Sequence, residues 1–130
     1  MGFSLSDRYE NIRRAAEVSK LFNDFAVTTI NAFICPTEEL RQMAKKIVGK
    51  EKYFEIFLDV PLEICEQRDP KGLYARFRKG EFKDLTGVDS PFEVPENPNF
   101  TLKTYVESPK VSANRTFESI LGYLCKIKRL

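Results

Sequence analysis

Polar and apolar positions alternate along this chain with a period that changes several times. After Ser4, a good helix N-cap with Asp7 three residues on, the apolar positions Tyr9, Ile12, Ala16, Val18, Leu21, Phe22 and Phe25 recur at helical spacing. The run Ala26 to Ile34 carries no charge and is rich in β-branched and aromatic residues. It reads as a strand buried on both faces, the pattern of a parallel sheet. Cys35-Pro36 ends it. Thr37 then caps a second helix, with Glu38 and Glu39 in the first turn, where the helix dipole favours acid. Leu40, Met43, Ala44 and Ile47 form its inner face, and Gly49 stops it.

Tyr53 to Val60 is the second predicted strand, and Pro61 opens a helix. Residues 69–99 hold Pro70, Gly72, Gly80, Gly87, Pro91, Pro95 and Pro98 and read as a long loop, the usual form of a lid or binding segment. Phe100 to Leu102 predicts a short strand. Ser112 caps a last helix whose Phe117, Ile120, Leu121, Leu124 and Ile127 face inward. The order is α/β with a parallel sheet and flanking helices, although three strands are few for a doubly wound sheet.

Composition narrows the function classes. The chain has 130 residues, 42% hydrophobic, with 31% charged and a formal net charge of +2. That suits one globular domain and is too balanced to argue for nucleic acid. The absence of histidine excludes a His-ligated zinc site and a Ser-His-Asp triad. Cys35, Cys65 and Cys125 form no C-x-x-C pair and point to a reduced compartment, with the cytosol as the default. No apolar run reaches the length of a membrane span. Gly2 with Ser6 fits a myristoylation pattern, and Asn99 and Asn114 head glycosylation sequons; neither carries weight in this sequence.

Chemistry concentrates in four places. Arg8 and Asn11 share one face of the first helix, with Arg13 and Arg14 close by. A guanidinium and an amide so placed could hold an anion and a base or sugar edge, and a solvated basic face is the competing reading. Phe33-Ile34-Cys35-Pro36 sits at a predicted strand's carboxyl end, where open α/β sheets bind ligands. Asp69-Pro70-Lys71-Gly72-Leu73-Tyr74 follows the next strand and helix, with Arg68 before it and Arg78 after it. Leu85-Thr86-Gly87-Val88-Asp89-Ser90-Pro91-Phe92-Glu93 lies deeper in the loop-rich stretch.

These segments, with Asp7-Arg8-Tyr9-Glu10-Asn11-Ile12-Arg13-Arg14, closely resemble the adenylylsulfate (APS) kinase family from Gly2 to about Thr104. The resemblance implies a P-loop-kinase-like parallel sheet with flanking helices, in a partial domain over 1–130 that lacks the first βα unit, with lid and substrate loops at about 69–99. It implies transfer of a phosphoryl group from Mg-ATP to the 3′-hydroxyl of APS, giving PAPS in sulfate assimilation. Phe3, Arg8, Asn11, Ile34, Lys71, Leu73 and Leu85 match substrate-binding positions, with Phe3 stacking on adenine. Arg68 and Arg78 match basic positions of the lid near the ATP phosphates.

Two residues depart from the family pattern. Cys35 stands where the family has a serine assigned as a phosphorylated intermediate, so it reads as substrate-lining or as a small buried hydrophobe, and no catalytic residue is assigned. Leu85 stands where a phenylalanine forms the other face of the adenine sandwich. The sequence also lacks a G-x-x-x-x-G-K-S/T phosphate loop and the family's Mg²⁺ ligands and D-G-D segment, so no metal ligand is assigned. The expectation is a fragment or split subunit inactive alone, with a homodimer or a chain bearing the phosphate loop as partner. A non-catalytic sulfonucleotide-binding regulatory module is the alternative, and a decayed product with no ligand the third.

Overall fold

In a computed structural model that describes residues 4–127, the Ser4 hydroxyl accepts the Asp7 amide at 3.1 Å and opens α1, Leu5–Asp24. The chain divides into two compact units. Met1–Tyr53 with Asp84–Val94 forms the first, and Phe54–Lys83 with Pro95–Leu130 the second.

The first unit is built on α1 and α2, Glu38–Val48. Thr37 caps α2 through the Leu40 amide, and Gly49 closes it at φ 100°, a backbone region that disfavours side chains. Ile12 and Ala16 of α1 pack with Ala44 of α2, and Cys35, Met43, Ile47, Val48 and Tyr53 close around them. The buried face of α1 is narrower than its sequence stripe. Ile12, Ala16 and Ser19 are buried, while Tyr9, Val18, Leu21, Phe22 and Phe25 are exposed. A stripe of apolar residues states what a helix is able to bury, and one partner helix covers only part of it.

The expected strand over Ala26 to Ile34 does not form, and its double burial is wrong. The backbone pairs with no other strand among the described residues, and Ile30 is 86% exposed, with Val27, Phe33 and Ile34 also exposed. A strand is completed by ladder hydrogen bonds, and β-branched composition supplies only the willingness to make them.

The second unit carries the sheet. β1, Ile56–Leu58, pairs in parallel with β2, Phe100–Leu102, with Ile56 opposite Phe100. The parallel expectation holds, and the strand is shorter than the predicted Tyr53–Val60. α3, Leu62–Arg68, begins one residue after Pro61, which occupies the cap position. α4, Leu73–Arg78, is a helix inside the stretch expected to be loop. α5 runs Pro109–Ile127, starting three residues before the predicted cap; Ser112 is buried inside it and donates to Glu107. α5 packs against β2, and Phe54 meets Tyr123 with ring centroids 4.8 Å apart. Ile120, Leu124 and Ile127 are half-buried, whereas Phe117 and Leu121 stay exposed instead of facing inward.

Candidate functional site

Arg8 is half-buried on α1, one turn before Asn11, which is exposed. Its guanidinium is used on a distant loop of the same unit. Nη1 donates to the Thr86 hydroxyl at 2.6 Å and Nη2 to the Asp84 carbonyl at 3.1 Å. Arg8 and the residues on both sides of Leu85 are therefore in contact, although nearly 80 positions separate them in the chain. On the next turn Glu10 accepts from both Arg13 and Arg14, at 2.7 and 2.6 Å, and these two contacts hold its carboxyl at about 2. Arg13 and Arg14 are thus engaged in an exposed intrahelical network.

The loop at Leu85 is closed on itself. The Leu85 carbonyl accepts the amides of Val88, Asp89 and Ser90. The Asp89 carboxylate accepts the Leu85 amide at 2.7 Å and the Asp84 amide at 3.1 Å. Asp84 itself sits at φ 65°, in the left-handed region, and Gly87 at φ 83° makes the return. Thr86, Gly87 and Asp89 of this motif each have a structural task.

Ile34 and Cys35 are fixed from the other side. Pro36 is fully buried, and its carbonyl accepts the Glu93 amide at 2.8 Å. The Glu93 carboxylate accepts the Glu38 amide at 2.6 Å, so it satisfies one of the free N–H groups at the start of α2. Arg41 is only 3% exposed. Its Nη1 donates to the Cys35 carbonyl at 3.0 Å, while Nε and Nη2 hold Glu38. Gln42 first and Arg41 second lower the Glu38 carboxyl below its usual range. Cys35 is half-buried against the helix core, and Ile34 is exposed.

In the second unit, Lys71 is exposed on the turn between α3 and α4. Asp69 shapes that turn. Its carboxylate accepts the Tyr74 and Ala75 amides at 3.2 and 3.0 Å, and its carbonyl accepts the Gly72 amide. Gly72, at φ 65°, is the residue before α4 and offers no side chain for a cap, so Asp69 supplies it. Burial pushes the Tyr74 hydroxyl upward in pKa, with the Cys65 thiol adding to it. Leu73 is 39% exposed. The two lid arginines have protein partners: Arg68 donates to the Thr104 hydroxyl and carbonyl, both at 2.8 Å, and Arg78 to Glu66 at 2.6 Å.

Phe3 lies outside the described residues. Among the described residues, no group of three or more His, Cys, Asp or Glu side chains could hold a metal ion, and no helix is long and apolar enough to cross a membrane. The sequence reading missed Arg41, Glu93, Asp69 and Asp89 as organisers. For Asp69 and Asp89 a signal existed, an Asp within three residues of a Gly in a turn-rich run; for buried Arg41 there was none.

Comparison with known proteins gives this arrangement its setting. The family model described as adenylylsulphate kinase matches residues 1–103. An adenylyl-sulfate kinase of Bacteroides thetaiotaomicron is 54% identical over 121 residues, covering 93% of this chain and 60% of the relative. One of Clostridium acetobutylicum is 46% identical over 130 residues, covering 100% of this chain and 62% of the relative. The chain therefore spans about three-fifths of the length of the curated relatives it matches. The structure of the Mycobacterium tuberculosis APS kinase in complex with AMPPNP and APS superposes with a TM-score of 0.83 at 39% identity, over 95% of this chain and 70% of that one. The α/β architecture of small parallel sheet and flanking helices is thus of the P-loop-kinase type. With the match running through the arginine-bearing helix, the Asp69 turn and the Leu85 loop, the chain belongs to the adenylylsulphate kinase family.

Proposed function

We propose that these 130 residues provide the sulfonucleotide-binding part of an APS kinase, the enzyme type that moves the γ-phosphoryl group of ATP to the 3′-hydroxyl of APS. The observation that carries the reading is the family match over residues 1–103, which contains all the substrate positions named from the sequence. The neighbouring M. tuberculosis enzyme was solved with APS and an ATP analogue, which supports the same ligand class for this chain.

In this reading Lys71, a compact cation on an ordered turn, sits on the sulfate-phosphate group. Arg8 and Asn11 hold the nucleotide, with Phe3 and Leu85 toward adenine, Ile34 and Leu73 lining the site, and Arg68 and Arg78 serving the ATP side of the lid. Phosphoryl transfer by P-loop enzymes depends on a phosphate cradle, its lysine and a Mg²⁺ ligand. The 130 residues contain no G-x-x-x-x-G-K-S/T, and no group of three or more His, Cys, Asp or Glu among the described residues could hold a metal ion, so no step through Mg²⁺ is assigned to them. These residues bind and orient; a polypeptide bearing the phosphate loop supplies the transfer chemistry. Cys35 and Leu85, which depart from the family pattern, favour a second reading, a regulatory sulfonucleotide-binding module without turnover.

Titration calorimetry with APS and PAPS tests the binding claim. Lys71→Ala and Arg8→Ala should each weaken binding, and salt should weaken it in the wild type. Binding indifferent to both substitutions refutes the site. An assay for PAPS formation, with and without a polypeptide carrying the first strand, phosphate loop and following helix, separates the two readings. The kinase reading requires turnover only in the mixture; the regulatory reading requires none in either.

A further inference from the structure

The residue before Leu85 is held in an uncomfortable conformation, and both of its backbone polar groups are captured. Asp84 sits at φ 65°. Its amide donates to Asp89 Oδ2 at 3.1 Å, and its carbonyl accepts from Arg8 Nη2 at 3.1 Å. Few non-glycine residues adopt the left-handed region, Asp among the more tolerant of them, and the conformation is kept where the surroundings determine it. In this loop Asp89 Oδ1 also takes the Leu85 amide at 2.7 Å, and Arg8 Nη1 donates to the Thr86 hydroxyl at 2.6 Å. The three residues Asp84, Leu85 and Thr86 are gripped in succession by one carboxylate and one guanidinium. Nothing in the packing of the helix core calls for this, since Leu85 is not among the core residues.

We infer that Asp89 is a positioning residue for sulfonucleotide binding. It fixes the backbone at Leu85 so that this side chain meets the base in one conformation, and Arg8 completes the grip from α1. The inference rests on the reading of Leu85 as the adenine-facing position. It assigns Asp89 no contact with the ligand. It also gives Arg8 a second task, so that loss of Arg8 affects the loop as well as any anion contact.

The test uses the full chain, with APS as the probe. Asp89→Ala should lower APS affinity about tenfold, and Asp89→Asn, which keeps one acceptor oxygen, about threefold. Leu85→Ala alone should also cost about tenfold, and the double variant Leu85→Ala/Asp89→Ala little more than either, because residues acting through one another are not additive. Hydrogen exchange of the free protein adds a readout that needs no ligand: the Leu85 amide should lose protection in Asp89→Ala while the Ala44 amide keeps it. Losses that multiply to about a hundredfold in the double variant overturn the inference while leaving the sulfonucleotide reading intact. So does unchanged protection at Leu85. If the wild type binds no APS, the reading beneath falls, and the positioning role falls with it.

Discussion

Arg41→Ala removes the most deeply buried charged side chain described in the first unit, and its cost follows from the geometry. Three effects add. The Cys35 carbonyl loses its donor at 3.0 Å, which costs about 1–2 kcal/mol for a half-buried acceptor. The methylene stem leaves a site where the residue is 3% exposed, and that packing is worth about 1–2 kcal/mol. The Glu38 carboxylate loses its partner at 2.8 Å, but its side chain is 40% exposed and rehydrates, so this part is about 0.5 kcal/mol. The sum is about 3 kcal/mol, which at a urea slope of about 2 kcal/mol per M moves the midpoint down by about 1.5 M. Urea titration followed by circular dichroism reads the shift directly. Glu38→Gln is the control, with a shift under about 0.3 M. If Arg41→Ala and Glu38→Gln give equal shifts, the ion pair carries the effect and the account of the Cys35 carbonyl is wrong. If neither moves the midpoint, the buried guanidinium holds nothing.

Asp69→Ala removes the side-chain cap of α4 and should cost about 1 kcal/mol, lowering Tm by roughly 4 °C, with Asp69→Asn losing about half as much; equal Tm values would show that α4 needs no cap. Glu10 has its carboxyl depressed from 4.5 to about 2 by Arg13 and Arg14, so its contribution is fully present above pH 4.5 and is lost as pH falls toward 2. Stability measured across that window should fall less steeply in Glu10→Gln than in the wild type, and parallel curves would contradict the network. Gly49→Ala meets no atom within 4 Å, so its whole cost is the backbone at φ 100°, about 1 kcal/mol by thermal unfolding.

What the sequence made legible was whatever short-range chemistry decides. α2 could be read from Thr37, the acidic first turn, Leu40 with Ala44, and Gly49, because cap, dipole, periodicity and stop all agree. The strands at 56–58 and 100–102 were legible as apolar runs bounded by breakers, and their parallel sense from the alternation of helices and strands, but not which strand pairs with which. The strand expected over 26–34 failed because pairing is a property of two segments and the sequence of one does not contain it. α4 escaped notice because six residues are too few to show a period, and its start is specified by Asp69 four positions earlier. Within the candidate site, the motif resemblance pointed to Arg8 and Leu85 separately. That Arg8 braces the loop of Leu85 depends on a contact spanning 78 positions, which no local pattern encodes.

The stretch from Val27 to Ile34, which joins no described strand, has a consequence for handling the protein. It is uncharged, and Val27, Ile30, Phe33 and Ile34 are exposed. The Val27 amide is taken by the Phe22 carbonyl at 3.0 Å, but an uncharged apolar run outside any sheet still invites association with another copy. At the concentrations used for calorimetry or crystallisation it will recruit copies into oligomers that sediment with time. Mild warming will hasten this, since apolar association strengthens from cold to ambient temperature. Ile30→Lys or Ile30→Asp, at the most exposed large apolar residue of the run (86%), would act as a gatekeeper and keep solutions clear without touching Cys35.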